Sequence, residues 1–272
     1  MPFAPPDAAA ALALGERLAG CAVLIATLEM LARPRAFDRG GLLGWEVAQL
    51  RAPWLTHGRL ARVLDRLFSG SGLRALLILR AAAAACLVAG LDGAALAAAV
   101  LTAAAASLLL MLRTCYGNDG ADQMCLLVLL SAALARASGS GAPMVAAVLC
   151  FLALQACLSY ATSGIAKLCG PAWRDGSGIV GILSTHTYGM PRLASSLARH
   201  RPLAIGFSWL VIGSEILFPL VLVAPDSWIP VFLLAGLSFH LGCALVMGLN
   251  TFVWSFAATY PAVYWLASSG AF

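Results

Sequence analysis

Four residues in the segment YATSGIAKLCGPAWRDG have the types and spacing of a proton-exchange site. Tyr160, Ser163, Gly164 and Lys167 lie at positions i, i+3, i+4 and i+7, which share one face of an α-helix. Lys167 is the only lysine among the 17 Lys and Arg residues. A partly buried lysine can lose its proton, whereas arginine stays charged. The pattern therefore favours a hydroxyl-bearing helix face that leads to one amine able to act as a base.

An interfacial anchor is the alternative interpretation of Lys167. Lysine near the end of a membrane helix often runs its stem along the lipid and places its ammonium among the headgroups. Gly170 and Pro171 are expected to end the helix, and Trp173 suits the depth of the membrane interface. In this interpretation the segment is a helix end followed by an aromatic anchor.

A second polar segment, RTCYGNDGADQM, lies between two apolar runs. Asn118, Asp119 and Gly120 predict a tight turn, and Asp122 begins the next helix, where a carboxylate is favoured. The simpler interpretation is a turn with Asp122 at the helix N-terminus. If the turn approaches Lys167, Asp119 would hold the amine charged or receive its proton.

Two ionisable residues, Glu215 and His240, lie near the middle of apolar runs. A charged group inside a membrane costs a few kcal/mol by insertion scales, so such residues usually face the bundle and have partners. Glu215 is expected to line the site, or Arg80 is expected to form a structural ion pair with either Glu29 or Glu215. His240 is expected to line the site or to be a neutral, hydrogen-bonded histidine. His186, in THTYG, is interfacial and is either catalytic or a loop residue.

The composition is that of a polytopic membrane protein. The chain of 272 residues is 61% hydrophobic and 11% charged, with a mean hydropathy of +0.90, whereas soluble domains carry roughly 25% charged residues. The first apolar run has no basic residue before it, so we expect it to remain as a membrane helix. No Cys or His spacing predicts a metal site, and the net charge of +5 gives no indication of nucleic-acid binding.

The apolar runs predict an all-α polytopic membrane protein with about eight transmembrane helices plus interfacial amphipathic helices. One interfacial helix is expected around 59–68, where apolar residues recur at helical spacing opposite arginines, and another within 176–202. Arginines concentrate in alternate loops, which predicts that these loops and Lys167 are cytoplasmic. The predicted spans are 11–32, 73–91, 94–112, 121–136, 143–166, 203–223, 229–248 and 250–267.

Three segments resemble one family. The Lys167 segment, the RTCYGNDGADQM turn and FHLGCALVMGLNTFVWSFAATYPAV are similar to the membrane domain of vitamin K-dependent γ-carboxylases, also called the HTTM family. The resemblance covers nearly the whole chain and implies one HTTM-like transmembrane domain over 1–272. It implies that Lys167 is the base that deprotonates a reduced quinone such as vitamin K hydroquinone, without a metal. His186 and His240 fall where the carboxylases also carry histidines.

The chain departs from the carboxylases at two points. Where the carboxylase loop carries Asn-His, this chain has Asn118 and Asp119, and a carboxylate beside an amine favours the ammonium form. The large soluble domain that follows in the carboxylases is not found before Phe272. The size, the YGNDGADQM segment and the THTYG segment resemble the short bacterial SdpB group, which assists maturation of a secreted peptide toxin.

Two functional hypotheses follow. In the first, the protein modifies or matures a secreted peptide, with Lys167, Asp119 and His186 as catalytic residues. Its substrate or cofactor pocket would be lined by Tyr160, Ser163, Asn118, Trp173, Glu215 and His240. In the second, it is a non-catalytic membrane partner in export of, or immunity to, a peptide toxin. Both place the chain in a lipid bilayer, expected to be a bacterial cytoplasmic membrane, without a nucleic-acid partner.

Overall fold

The computed structural model describes residues 7–38, 40–41, 43–51, 53–114 and 119–270. Within these ranges all regular secondary structure is helical. The helices are α1 (Ala8–Ala32), α2 (Trp45–Ala48), α3 (Gly58–Phe68), α4 (Gly70–Ala89), α5 (Gly93–Arg113), α6 (Gly120–Ala137), α7 (Ala142–Cys169), α8 (Pro171–Arg174), α9 (Ser177–Leu183), α10 (Pro191–Arg199), α11 (Arg201–Leu217), α12 (Ile229–Met247), α13 (Asn250–Ala257) and α14 (Tyr260–Ser268).

In the described part of the chain, seven helices are long and apolar enough to cross a bilayer: α1, α4, α5, α6, α7, α11 and α12, the last two lengthened by adjoining 3-10 turns. They coincide with the first seven predicted spans, and the predicted class of all-α polytopic membrane protein is confirmed. The eighth predicted span, 250–267, is instead divided into α13 and α14. Pro261 is the second residue of α14, where its missing N–H cannot continue the hydrogen bonding of the preceding helix.

The chain forms two compact units, Ala13–Met144 and Met1–Leu12 with Val145–Phe272. In the first unit, the amphipathic helix α3 packs Leu64 and Phe68 into a core that also holds Trp45, Leu55 and Leu73. A helix is therefore present at the predicted position near 59–68, and one of its faces packs in the protein. Burying an apolar side chain of this size contributes roughly 1.5–3 kcal/mol.

Polar contacts join elements within the first unit. The buried guanidinium of Arg113 donates to the carbonyl oxygen of Phe68 at 3.1 Å, and that of Arg51 donates to the carbonyl oxygens of Leu112 and Thr114. These bonds tie the connecting segment to the C-terminal end of α5, where the last carbonyl groups of a helix need donors. The end of α5 is thereby tied to the end of α3 through Arg113 and to the segment that carries Arg51.

In the second unit, short helices follow α7. Leu183, Ala194, Leu197 and Ala204, from α9, α10 and α11, form a small buried cluster. Thus α10 lies within the predicted interfacial stretch 176–202 and has its apolar face covered by neighbouring helices. The long helices α7, α11 and α12 of this unit carry the residues of the candidate site.

Candidate functional site

Lys167 forms a closed ion pair with Glu215. Its ammonium nitrogen lies 2.8 Å from each carboxylate oxygen of Glu215 and 2.6 Å from Ser163 Oγ. The Ser163 hydroxyl donates in turn to Glu215 Oε1 at 3.1 Å. The Lys167 side chain is 18% exposed and that of Glu215 is 4% exposed. The amine therefore points into the helices rather than outward as an interfacial anchor.

A glycine allows this pair to form. Gly164 lies on the same face of α7 as Ser163, and a Cβ at residue 164 would lie 2.9 Å from the backbone nitrogen of Ile216 and 3.0 Å from Glu215 Cβ. Real Cβ atoms essentially never approach backbone atoms so closely. The missing side chain thus lets α11 approach α7 until the Glu215 carboxylate reaches the amine.

Trp173 lies beside the ion pair. Helix α7 ends at Cys169, and the short helix α8 begins at Pro171, so the chain turns back towards the amine. The Lys167 nitrogen lies 5.3 Å from the centre of the Trp173 ring, within the range of a cation–π interaction. Trp173 thus contacts the ion pair, while its predicted place in a substrate or cofactor pocket stays a prediction.

A second buried cluster lies one turn earlier on α7. The Tyr160 hydroxyl is 2.7 Å from His240 Nε2 and 2.7 Å from the Tyr260 hydroxyl. Phe218 stacks on the Tyr160 ring with centroids 3.9 Å apart, and Phe256 stacks on the His240 ring at 4.2 Å. A tyrosine therefore bridges a histidine and another tyrosine inside an aromatic enclosure.

Gly236 makes room for this cluster. It lies one turn before His240 on α12, and a Cβ there would lie 2.4 Å from the Tyr260 hydroxyl and 2.9 Å from the Tyr160 hydroxyl. The two hydroxyl groups therefore rest against bare backbone. Sequence reasoning did not identify Gly236 or Tyr260, although Tyr260 lies in the TYPAV segment that carried the resemblance.

Among the described residues, one nitrogen of His240 has no hydrogen-bond partner. Nδ1 is buried, and no donor or acceptor reaches it within the described ranges, while Nε2 contacts Tyr160. A buried donor without a partner costs about 1–3 kcal/mol. The favoured tautomer is therefore the one that leaves Nδ1 without a proton and has Nε2–H donate to the Tyr160 oxygen.

The two clusters share one helix face. Tyr160, Ser163 and Lys167 follow one another at helical spacing on α7, so each cluster is built around a residue of the same face. Glu215 on α11 completes the ion pair, and His240 on α12 completes the tyrosine–histidine cluster.

Other predicted site residues have different surroundings. Asp119 is the N-cap of α6: its Oδ1 accepts from the N–H groups of Ala121 at 2.9 Å and Asp122 at 3.1 Å. The capping residue is thus Asp119 and not Asp122, which follows at the third helical position. Burial raises the pKa of Asp119, although these two N–H groups partly oppose the shift. Asn118 lies outside the described residues, so its predicted place in the pocket stays a prediction.

His186 lies exposed in the turn that follows α9. Among the described residues, no hydrogen bond or ion pair joins it to Lys167 or Glu215. Its catalytic role therefore rests on the resemblance alone. No group of three or more His, Cys, Asp and Glu side chains in the described ranges is arranged to hold a metal ion.

The ion pair between Lys167 and Glu215 was missed by sequence reasoning, which paired Glu215 only with Arg80. Arg80 donates from Nε to Ser107 Oγ at 3.1 Å and interacts electrostatically with Asp122. A signal for the correct pair was present, since the only lysine and a glutamate in the middle of an apolar run both need a partner of opposite charge.

Comparison with known proteins gives no match to a protein-family model, a curated protein or a solved structure. The resemblance to the carboxylase membrane domain is therefore a prediction, and what is established is an integral membrane protein of many apolar helices.

Proposed function

We propose that this integral membrane protein exchanges a proton with a membrane-soluble hydroxyl compound at Lys167 and Glu215, in the modification or maturation of a secreted peptide. The observation that supports this most directly is the inward-pointing amine, held by Ser163 and by both oxygens of Glu215. Such a pair supplies a base and a positive charge within one hydrogen-bonded group.

Lys167 and Glu215 have different roles in this proton transfer. A lysine beside a carboxylate is held in the ammonium form, so the basic atoms of the pair are the Glu215 oxygens. When a substrate hydroxyl gives its proton to Glu215, an O–H bond forms on the carboxylate and the substrate oxygen becomes an anion. The Lys167 ammonium then stabilises that anion electrostatically.

A reduced quinone fits the residues present. Its phenolic hydroxyl would meet Glu215 and Lys167, and its ring would lie near Trp173, whose ring already lies 5.3 Å from the amine. The 18% exposure of the Lys167 side chain leaves a side from which a ligand can approach. Bound there, a quinol would supply an acidic hydroxyl and electrons. The chain itself would orient that hydroxyl and accept its proton.

A second function is favoured by the same geometry. The ion pair is complete without any ligand, because each carboxylate oxygen already accepts from the ammonium. A satisfied pair of this kind can also serve only to fix the packing of two helices. In that case the protein is a non-catalytic membrane partner in export of, or immunity to, a peptide toxin.

Substitution Glu215→Gln distinguishes the two functions. Glutamine keeps the size of the side chain and its oxygen can still accept hydrogen bonds from Lys167 and Ser163, but an amide does not take up a proton at ordinary pH. Comparing the secreted peptides of the host with those of a deletion strain, by mass spectrometry, defines the product that depends on this protein. Re-expression of Glu215→Gln should then fail to restore that product, at a membrane level equal to that of wild type. Full restoration would support the non-catalytic partner.

The matched control is Lys167→Met combined with Glu215→Leu. This double substitution removes both charges and keeps an apolar contact, so it should preserve folding. Loss of the product in both variants supports proton exchange. If the double substitution restores the product, neither charge takes part in the function.

A further inference from the structure

Helix α3 carries more apolar surface than the protein core covers. Leu64 and Phe68 are 5% and 0% exposed, and they pack inside the unit Ala13–Met144. Leu60 and Val63, on another side of the same helix, are 54% and 58% exposed. One apolar face of the helix therefore packs against the protein, and a second apolar face is not covered by any described residue.

The segment before α3 also has both buried and exposed apolar side chains. Leu55 is fully buried, whereas Leu50 is 74% and Trp54 is 55% exposed. The turn Pro53–Leu55 packs against α3, which brings the two sets of exposed side chains into one region. Single exposed leucines are ordinary, but four large apolar side chains on adjoining short elements indicate an interaction surface.

Most of the charges on α3 are positive. Arg59, Arg62 and Arg66 are exposed along the helix. Asp65 is exposed as well, and its Oδ1 accepts a hydrogen bond of 2.7 Å from Trp45 Nε1, so the three arginines outnumber the one acidic residue of the helix. An apolar surface beside a row of arginines complements a layer of anionic headgroups over hydrocarbon.

The position of α3 along the chain indicates which molecule can contact its exposed apolar side chains. Only Ser69 separates the end of α3 from the start of α4, a helix long and apolar enough to span a bilayer. One residue reaches at most about 3.6 Å. The C-terminal end of α3 is therefore held beside the start of α4, which makes lipid the partner within reach of its exposed apolar side chains.

We propose that Leu50, Trp54, Leu60 and Val63, together with Arg59, Arg62 and Arg66, form a binding surface for anionic phospholipids. The four apolar side chains enter the boundary between headgroups and acyl chains. The three guanidinium groups bind phosphate oxygens, for which their N–H geometry is suited. This inference is independent of the proton-exchange function, since it uses none of the residues of that site.

The test uses the full chain reconstituted in vesicles of phosphatidylcholine and phosphatidylglycerol. Lipids brominated on the acyl chain quench nearby tryptophan, and subtraction of the Trp54→Phe spectrum from that of wild type isolates the Trp54 signal. We expect brominated phosphatidylglycerol to quench Trp54 more than brominated phosphatidylcholine at equal mole fraction. Raising the salt concentration from about 0.1 M to 1 M should reduce that preference, because it shortens the screening length.

Combined substitution of Arg59→Gln, Arg62→Gln and Arg66→Gln should lower the preference for phosphatidylglycerol by about fivefold per arginine, as expected for groups worth about 1 kcal/mol each near an anionic surface. The control is Arg192→Gln with Arg199→Gln in α10, which should leave the Trp54 preference unchanged. The wild-type salt series needs no variant, so it tests the proposal even if the triple substitution fails to fold.

Two results would overturn the proposal. Equal quenching of Trp54 by both lipids at low salt would mean that the arginines do not select anionic headgroups. No quenching by either lipid would mean that a protein or water covers the surface.

Discussion

Gly164 lies against Glu215, and the space between them is too small for a side chain. A Cβ at residue 164 would meet the Ile216 backbone nitrogen at 2.9 Å and Glu215 Cβ at 3.0 Å. The two helices that carry Lys167 and Glu215 are therefore held at a distance that only glycine permits. The ion pair depends on a residue that has no polar side chain of its own.

Substitution Gly164→Ala should force α11 away from α7 and lengthen the contacts between Lys167 and Glu215. We expect a loss of about 1–3 kcal/mol, as for other overpacked sites, measured as the midpoint of thermal unfolding in detergent. Gly213→Ala is the matched control, because a Cβ at that position on α11 has no neighbour within 4 Å. A melting temperature for Gly164→Ala at or above that of the control would contradict the packing argument.

The buried ion pair should show strong coupling in a double-mutant cycle. Glu215→Leu alone leaves the Lys167 ammonium without a counter-charge and should cost about 3–5 kcal/mol, whereas replacing both partners by apolar residues is often close to neutral. Stability is measured for Lys167→Met, Glu215→Leu and the combination. Additive effects would show that the two charges do not depend on each other.

Substitution Gly236→Ala should disrupt the tyrosine–histidine cluster. The added methyl group would lie 2.4 Å from the Tyr260 hydroxyl, so at least one of the two 2.7 Å bonds of Tyr160 should break. The measurement is the ¹⁵N chemical shift of the His240 ring, which reports the tautomer, and it should change. Gly242→Ala on the same helix has no neighbour within 4 Å of its Cβ and should leave the shift unaltered.

Asp119 gives a prediction that depends on pH. Burial raises its pKa above the ordinary value of 3.8, so the folded protein binds this proton more tightly than the unfolded chain does. Its contribution to stability should therefore fall as pH rises from about 3.8 to the raised pKa, and stay constant above it. Thermal unfolding as a function of pH measures this slope, and Asp119→Asn should remove it.

Two substitutions at Asp119 distinguish a helix-capping role from a catalytic role. Asparagine caps a helix about as well as aspartate, whereas alanine costs about 0.5–2 kcal/mol. We therefore expect Asp119→Asn to keep the wild-type melting temperature at neutral pH and Asp119→Ala to lower it. If Asp119→Asn also abolishes formation of the secreted product, the carboxylate takes part in the chemistry as well.

Most of the fold could be predicted from the sequence, because the length of an apolar run is nearly sufficient to place a membrane helix. The division of 250–267 was missed although Pro261 signals a helix start. Apolar composition alone does not distinguish one long helix from two short ones, because both bury the same residues. Backbone continuity is decided by local hydrogen bonds such as that from Thr259 Oγ to Phe256 O at 2.7 Å.

The site was predictable only in part. Tyr160, Ser163 and Lys167 belong to one helix, so their shared face follows from spacing. Glu215 and Tyr260 are 48 and 100 residues away from their partners, and no local pattern states which helices will be neighbours. The pairing is decided by close packing at Gly164 and Gly236, whose importance becomes visible only when the approaching atoms are known.

The bend between α13 and α14 positions two aromatic residues of the tyrosine–histidine cluster. Phe256, at the end of one short helix, stacks on His240, and Tyr260, at the start of the next, binds the Tyr160 hydroxyl. Each helix is too short to cross a bilayer, since eight or nine residues rise only about 12–14 Å. The two side chains thus lie on either side of the bend. Straightening the chain at Thr259 would break the stacking of Phe256 on His240 and the hydrogen bond between Tyr260 and Tyr160 together.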